Sequence, residues 1–327
     1  MYQSKVDVAV LLIFFNRPEC IEKVFAAVKA ARPSRLYLYQ DGVREGREDD
    51  VENARKCREI VSDIDWECEV HTKYQEKNFG CDPSEFIAQR WLFENEEMGI
   101  ILEDDDVPSE SFFRFCKELL EKYKDDDRIN MICGMNNNDI SKYIDASYLF
   151  TKKGSIWGWA SWRRVVSAWD GEYSWLDDEK ALEKIKKQMS NRDYKAFIKR
   201  ASWHRSTGKE YYETINAASM YINERLNIVP KYNMISNIGI SAETTHATDD
   251  VRVLPKRIQK LLYKKTYEIE FPLIHPTEIV RDYKFEKKMT FTKFDRFANK
   301  IEATIRTLIY KGPKGIIKKI KNHSKSK

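Results

Sequence analysis

Apolar residues recur along the first 135 positions in two alternating rhythms. Val6–Phe15 is apolar but for Asp7, the pattern of a strand buried on both faces of a parallel sheet. Asn16-Arg17-Pro18 turns the chain, and Ile21, Val24, Phe25 and Val28 then repeat at helical spacing. The same alternation predicts a strand at Arg35–Gln40 closing on Asp41-Gly42, a polar helix at about 48–62, a strand at Trp66–Lys73 and a helix from Pro83 to Asn95. A fourth strand follows at Gly99–Leu102, an amphipathic helix from Phe112 to Tyr123 and a fifth strand at Ile129–Cys133. Strand and helix in turn predict an α/β fold, a doubly wound and mostly parallel sheet with right-handed crossovers.

Past residue 135 the pattern changes. Ser155 to Arg164 packs three tryptophans and two arginines into ten residues, with Trp169 and Trp175 close behind. Tryptophan can stack on a sugar ring and arginine can bind phosphate or carboxylate, which makes Trp157, Trp159, Trp162 and Arg163 candidate acceptor-binding residues. Packing between sheet and helices is the alternative for each tryptophan. Helices are predicted at roughly 178–189, 191–203 and Tyr211 to Glu224, and late strands at Leu226–Pro230 and Met234–Ile238. The pattern divides the chain into 1–135, 136–250, a second half of the same domain, and 251–327, a C-terminal extension with a basic amphipathic tail.

The fourth strand ends in Glu103-Asp104-Asp105-Asp106, with Val107-Pro108 behind it. Four adjacent carboxylates repel one another, so a folded chain must solvate them or give them a cation. Mg²⁺ and Mn²⁺ are hard ions that take carboxylates together with substrate phosphates. Acids at the carboxyl end of a central strand also lie where open α/β sheets bind ligands. A solvated acidic turn is the alternative, and the apolar strand before the run and the proline after it argue for the metal. The proline is expected to stop the strand.

Composition narrows the field. The chain has 327 residues, 42% hydrophobic and 13% aromatic, enough for a substantial core. Its longest apolar run, Val8 to Phe15, is far short of the roughly 20 residues that span a bilayer. Met1 to Lys5 lead straight into the first strand without a signal-peptide pattern, and six cysteines show no CxxC pair, which predicts a cytoplasmic protein. Neither G-x-G-x-x-G nor a Walker A sequence occurs, so dinucleotide and P-loop readings lose their main support. The net charge of +5 is uneven: residues 300–327 carry nine Lys/Arg against one acid, Glu302, and leave the first 299 residues slightly acidic. The body is therefore no nucleic-acid binder.

Several segments in one order resemble bacterial nucleotide-diphospho-sugar transferases of the GT-A fold, in particular the family often labelled hemolytic-protein-like. They are Phe14-Phe15-Asn16-Arg17-Pro18, Asp41-Gly42, Lys77-Asn78-Phe79-Gly80-Cys81, Gly99 to Pro108, Ile156 to Arg164, Ile228-Val229-Pro230, Ser236-Asn237-Ile238-Gly239 and Thr245-His246. The acid run is also similar to the Glu-Asp-Asp motif of eukaryotic N-acetylglucosaminyltransferase I. The resemblance implies that Asn16, Arg17 and Pro18 lie over the nucleotide, that Asp41 accepts hydrogen bonds from base or ribose, and that Asn78 and Gly80 form the next wall. It implies Glu103 and Asp104 orienting ribose and metal-bound water with Asp105 on Mn²⁺ or Mg²⁺; an Asp-x-Asp register would use Asp104 and Asp106 instead. His246 would complete the metal or diphosphate site.

Where the family has Trp-Asp-Tyr, some 17 residues before the Ile-Val-Pro strand, this chain has Tyr212-Glu213-Thr214, which makes Glu213 the candidate base and Glu210 its competitor. The expected activity is a metal-dependent, inverting glycosyl transfer from a nucleotide-diphosphate sugar to a glycan or lipid-linked hydroxyl, in bacterial surface polysaccharide or glycan assembly. A sugar nucleotidyltransferase and a membrane-binding lytic protein are the alternatives. The latter is prompted by the tail, where Phe294, Phe297, Ile301, Ile305, Leu308 and Ile309 fall on one helical face beside dense Lys/Arg. That is the pattern of a helix lying in an anionic interface, each basic residue adding roughly 1 kcal/mol. The tail thus predicts peripheral contact with the cytoplasmic membrane through residues 294–327, or else a stripe that packs on the body.

Overall fold

The computed structural model describes residues 1–239, 250–290 and 292–325, with backbone alone at 293, 294, 296 and 314–325. Its strands are β1 (Val6–Phe14), β2 (Pro33–Gln40), β3 (Glu69–Tyr74), β4 (Met98–Glu103), β5 (Asp106–Pro108), β6 (Ile129–Cys133), β7 (Tyr148–Thr151), β8 (Trp159–Trp162), β9 (Leu226–Pro230) and β10 (Ile235–Asn237). Its helices are α1 (Pro18–Ala31), α2 (Glu48–Val61), α3 (Cys81–Asn95), α4 (Ser111–Lys122), α5 (Arg163–Val166), α6 (Glu179–Lys187), α7 (Asn191–Thr207), α8 (Tyr212–Ile222), α9 (Lys256–Gln259), α10 (Tyr283–Met289) and α11 (Lys293–Lys325).

Eight strands form one mixed sheet in the order β3-β2-β1-β4-β8-β6-β9-β7. β1, β2, β3 and β4 run parallel, as do β6 and β9, while β8 and β7 are antiparallel to their neighbours. The apolar run of β1 serves two cores at once. Val8, Val10, Leu12 and Phe14 pack beneath α1, α2 and α4, and Ala9, Leu11 and Ile13 pack on the face covered by α3, α6, α7, α8 and α10. Each such apolar side chain removed from water stabilises by about 1.5–3 kcal/mol, and this is why strands dictated by apolar runs are legible in sequence.

Three short strands depart from the reading. β8 lies inside the tryptophan-rich segment, β7 precedes it, and after β4 the acid run enters a further short strand, β5, which ends at Pro108 and pairs antiparallel with β10. Trp66 makes an isolated bridge to Tyr2, and β3 starts later, at Glu69. The six cysteines are all unpaired.

The chain after residue 250 is part of the body as far as α10. Leu262, Ile269, Leu273 and Phe285 are buried, and the Glu268 carboxylate accepts from the Glu110 and Ser111 amides at the start of α4. Residues 260–282 are mostly irregular, and their Lys265 carbonyl accepts from buried Asn233. α11 breaks at Gly312, whose φ of 64° no other residue type adopts easily, so two helices meet there. No described helix is long and apolar enough to cross a membrane.

Candidate active site

The chain leaves β1 toward β2 and β3 on one side and continues from β4 on the other. The gap beyond the carboxyl ends of β1 and β4 is therefore the topological switch point, where open α/β sheets hold their ligands. β1 delivers Arg17 to it, and β4 delivers Glu103 to Asp106. The cation demanded by the acid run is the chain's own. Arg17 forks onto both carboxylate oxygens of Asp104, and its Nη1 lies 2.9 Å from Oδ2 of Asp105. Burial alone would lower the guanidinium pKa, and the two aspartates outweigh it, so Arg17 stays protonated.

Asn237 of β10 closes the other side. Its amide nitrogen donates to Asp105 Oδ1 at 2.8 Å and to Asp106 Oδ1 at 3.1 Å. The Gly158 amide donates to Asp106 Oδ2 at 2.8 Å from a residue at φ 58°, and a Cβ there would lie 2.4 Å from Ile235. Asp106 is thus fully buried with both oxygens engaged, a tie between β5, β8 and β10, and burial followed by the Asp105 charge pushes it well above the usual carboxylate range. Gly239 presses on Asp105: a Cβ on it would fall 1.8 Å from Oδ2.

These contacts bear on a metal. Asp104, Asp105 and Asp106 all have both oxygens taken by Arg17, Asn237 or Gly158, and among the described residues no three Asp, Glu, Cys or His side chains converge as a ligand set. As arranged, the described carboxylates do not fit Mn²⁺ or Mg²⁺. His246 lies outside the described residues.

The loops on the β2 side form a knot. Asp41 accepts from the amides of Gly42, Phe79 and Gly80, each at 2.9 Å, and from the Asn78 side chain at 3.0 Å. Asn78 also donates to the Gly42 carbonyl. Asp41, Asn78 and Gly80 do meet, and the Asp41 carboxylate is engaged by its own loops. Asn16 is likewise committed, donating at 2.6 Å to buried Asp50, which Arg44 also holds. Pro18 opens α1, where its missing amide hydrogen costs nothing.

On the opposite face of the sheet a second group of acids gathers. Glu85 of α3 is buried, accepts from the Cys81 thiol at 3.2 Å, and is pushed well above the usual carboxylate range by burial and then by the Glu213 charge. Burial and then Glu85 do the same to Glu103. Glu213 is exposed in the first turn of α8, while Glu210 lies before the helix over Gly171. Beside them, the Tyr212 ring stacks on Trp159 at 6.4 Å and 12°, and the Tyr212 hydroxyl and the Trp159 and Trp169 indole nitrogens have no hydrogen-bond partner among the described residues. Burial holds the Tyr212 phenol protonated.

The tryptophans separate by strand geometry. Antiparallel register puts Trp159 opposite Ile101, near the acids, and Trp162 opposite Met98 at the far end. Trp162 is buried and donates to the Leu120 carbonyl; Arg163 donates to the Phe93 carbonyl at 2.7 Å and pairs with Glu97. Both are structural and cannot meet an acceptor at the site. Trp159 is buried in the core, and half-buried Trp157 packs on the opposite core. The sequence reading also passed over Glu85, although the buried set Glu85, Ala88, Gln89 and Leu92 puts a charge on the apolar stripe of α3.

No protein-family model and no curated protein matches the chain. Solved structures with some likeness include apo UDP-glucose pyrophosphorylase (10% identity, TM-score 0.37, 71% of this chain and 93% of that one). The inositol-1-phosphate CTP transferase from T. maritima gives 10% identity and a TM-score of 0.38 over 74% of this chain and 94% of that one. The glycosyltransferase GlyE of Streptococcus pneumoniae TIGR4 gives 8% and 0.30 over 69% of this chain and 45% of that one. The reaction has to be read from the side chains.

Proposed function

We propose that the protein is a glycosyltransferase that moves a sugar from a nucleoside-diphosphate donor to a hydroxyl group of a glycan or lipid-linked acceptor, with inversion. The observation that carries this reading is the meeting of Arg17 with the acid run at the switch point. A planar guanidinium suits phosphate oxygens, and here it also offsets the acids that would otherwise repel an anionic donor. In this reading Glu103 and Asp104, at the end of β4, orient the ribose. The acceptor oxygen attacks the anomeric carbon, its proton passes to Glu213, and the bond to the diphosphate breaks with both electrons leaving on the nucleoside diphosphate. Arg17 counters the charge on that leaving group. No step is assigned to a divalent ion, because binding one at Asp105 requires Arg17 to give way.

The test is a panel of nucleotide sugars scored for release of nucleoside diphosphate, with and without added Mn²⁺. Glu213→Gln keeps the side chain's shape but cannot take a proton, so kcat should fall by on the order of 10²–10⁴ while donor affinity is kept. Normal turnover in that variant transfers the role to Glu210 or Glu85. Pyrophosphate formed from a nucleoside triphosphate and a sugar phosphate would make the protein a nucleotidyltransferase instead.

A further inference from the structure

The first half of α11 is docked by its polar side. Asp295 pairs with Arg257 at 3.3 Å, Glu302 accepts from the Lys256 amide at 3.1 Å, and Arg306 donates to the Arg252 carbonyl at 3.2 Å. Thr307 is buried at 5% exposure, and the Arg252 guanidinium lies over the Tyr310 ring. The apolar stripe points the other way. Phe297, Ile301, Ile305, Leu308 and Ile309 are 63%, 44%, 52%, 52% and 67% exposed. Their spacing makes one continuous face about 18 Å long at the rise of an α-helix. The structure therefore rejects packing of this stripe on the body.

A bare apolar face of this kind marks an interaction surface. Its chemistry selects the partner. Lys300 and Lys311 flank the stripe, the helix beyond Gly312 adds Lys314, Lys318, Lys319, Lys321 and Lys325, and no acid follows Glu302, which is already engaged by Lys256 and Arg306. Two copies meeting face to face would bring these like charges together. We infer that residues 297–325 dock onto an anionic lipid bilayer, the stripe sinking into the headgroup region and the lysines meeting lipid phosphates. A short basic amphipathic helix lies in such an interface without crossing it. This surface stands apart from the proposed reaction, and its test reads binding alone.

Full-length protein is floated through a density gradient with phosphatidylcholine vesicles, with or without phosphatidylglycerol, at low and high salt. The protein should float with the anionic vesicles only, and high salt should release it. Ile305→Glu with Leu308→Glu should cut partitioning by about tenfold or more, since exposed positions are changed and unfolding curves should not move. Lys318→Glu with Lys319→Glu should weaken it by about 25-fold or more, at a factor of about five for each basic residue. Failure to float with anionic vesicles at low salt would overturn the inference. So would equal flotation of both variants, or a dimer in sedimentation that the Ile305→Glu, Leu308→Glu protein loses while neither protein floats.

Discussion

Asp105 and Asp106 are adjacent in sequence and do opposite work. Asp106 ties three strands together, and Asp106→Ala leaves the Gly158 amide and one Asn237 bond unfilled, at a cost of about 1–3 kcal/mol. Asp105→Ala frees one Asn237 bond but leaves Arg17 paired with Asp104 and removes a like charge, so its cost should be the smaller, about 1 kcal/mol or less, while the loosened Arg17 lowers donor turnover. Denaturant unfolding of the two variants decides it, and equal costs would refute the division of labour. The sequence showed that an acid run stands at a strand end, and that it needs a cation. It could not show which acid faces which partner, because Asn237 and Gly158 reach the cluster from 131 and 52 residues away. The tryptophans were ambiguous for the same reason: a strand of four residues places Trp159 and Trp162 in opposite cores, and the sequence does not print its register.

At the scale of elements, α10 shows how the irregular segment after residue 260 is fixed. Glu286 accepts from Thr151, from the Lys152 amide at 2.7 Å and from both arms of Arg281. Burial would raise its pKa, but Arg281 and the Lys152 amide hold it below the ordinary value. A carboxylate with a depressed folded-state pKa stabilises the fold above its unfolded value, and that contribution is lost as the pH falls below about 4.5 and through the folded-state pKa. Glu286→Gln should cost about 2–4 kcal/mol at neutral pH and flatten the acid limb of the stability curve, measured by denaturation across pH. Long periodic elements such as β1, α2 and α8 were legible because burial alone dictates their pattern. β5, β7 and β8 were not, since strands of three or four residues carry too few alternations to distinguish from a loop.

For the whole molecule, the division at residue 250 is not where the body ends. Leu262, Ile269, Leu273 and Phe285 complete its cores, whereas beyond residue 292 the described side chains meet the body mainly through the polar side of α11. A chain ending at residue 292 should unfold within a few degrees of the full-length protein, and one ending at 250 should not fold cooperatively; calorimetry of the two checks this. The parallel, doubly wound half was readable from alternating strand and helix. The mixed centre was not, because an antiparallel strand inserted between two parallel groups leaves no mark on local periodicity.

That inserted strand sets the order of events on the way to the native state. Without β8, the sheet is two separate pieces, β3-β2-β1-β4 and β6-β9-β7. The first can assemble as soon as residue 103 is made, but its β4 edge then stays unpaired for more than 50 residues of synthesis, an open template for association with another chain. Residues 159–162 close that edge and join the second piece to the strands that lead to Arg17 and Asp105. A four-residue strand joins the two halves of the sheet, and a chain stalled before it should be the one most prone to associate with its neighbours.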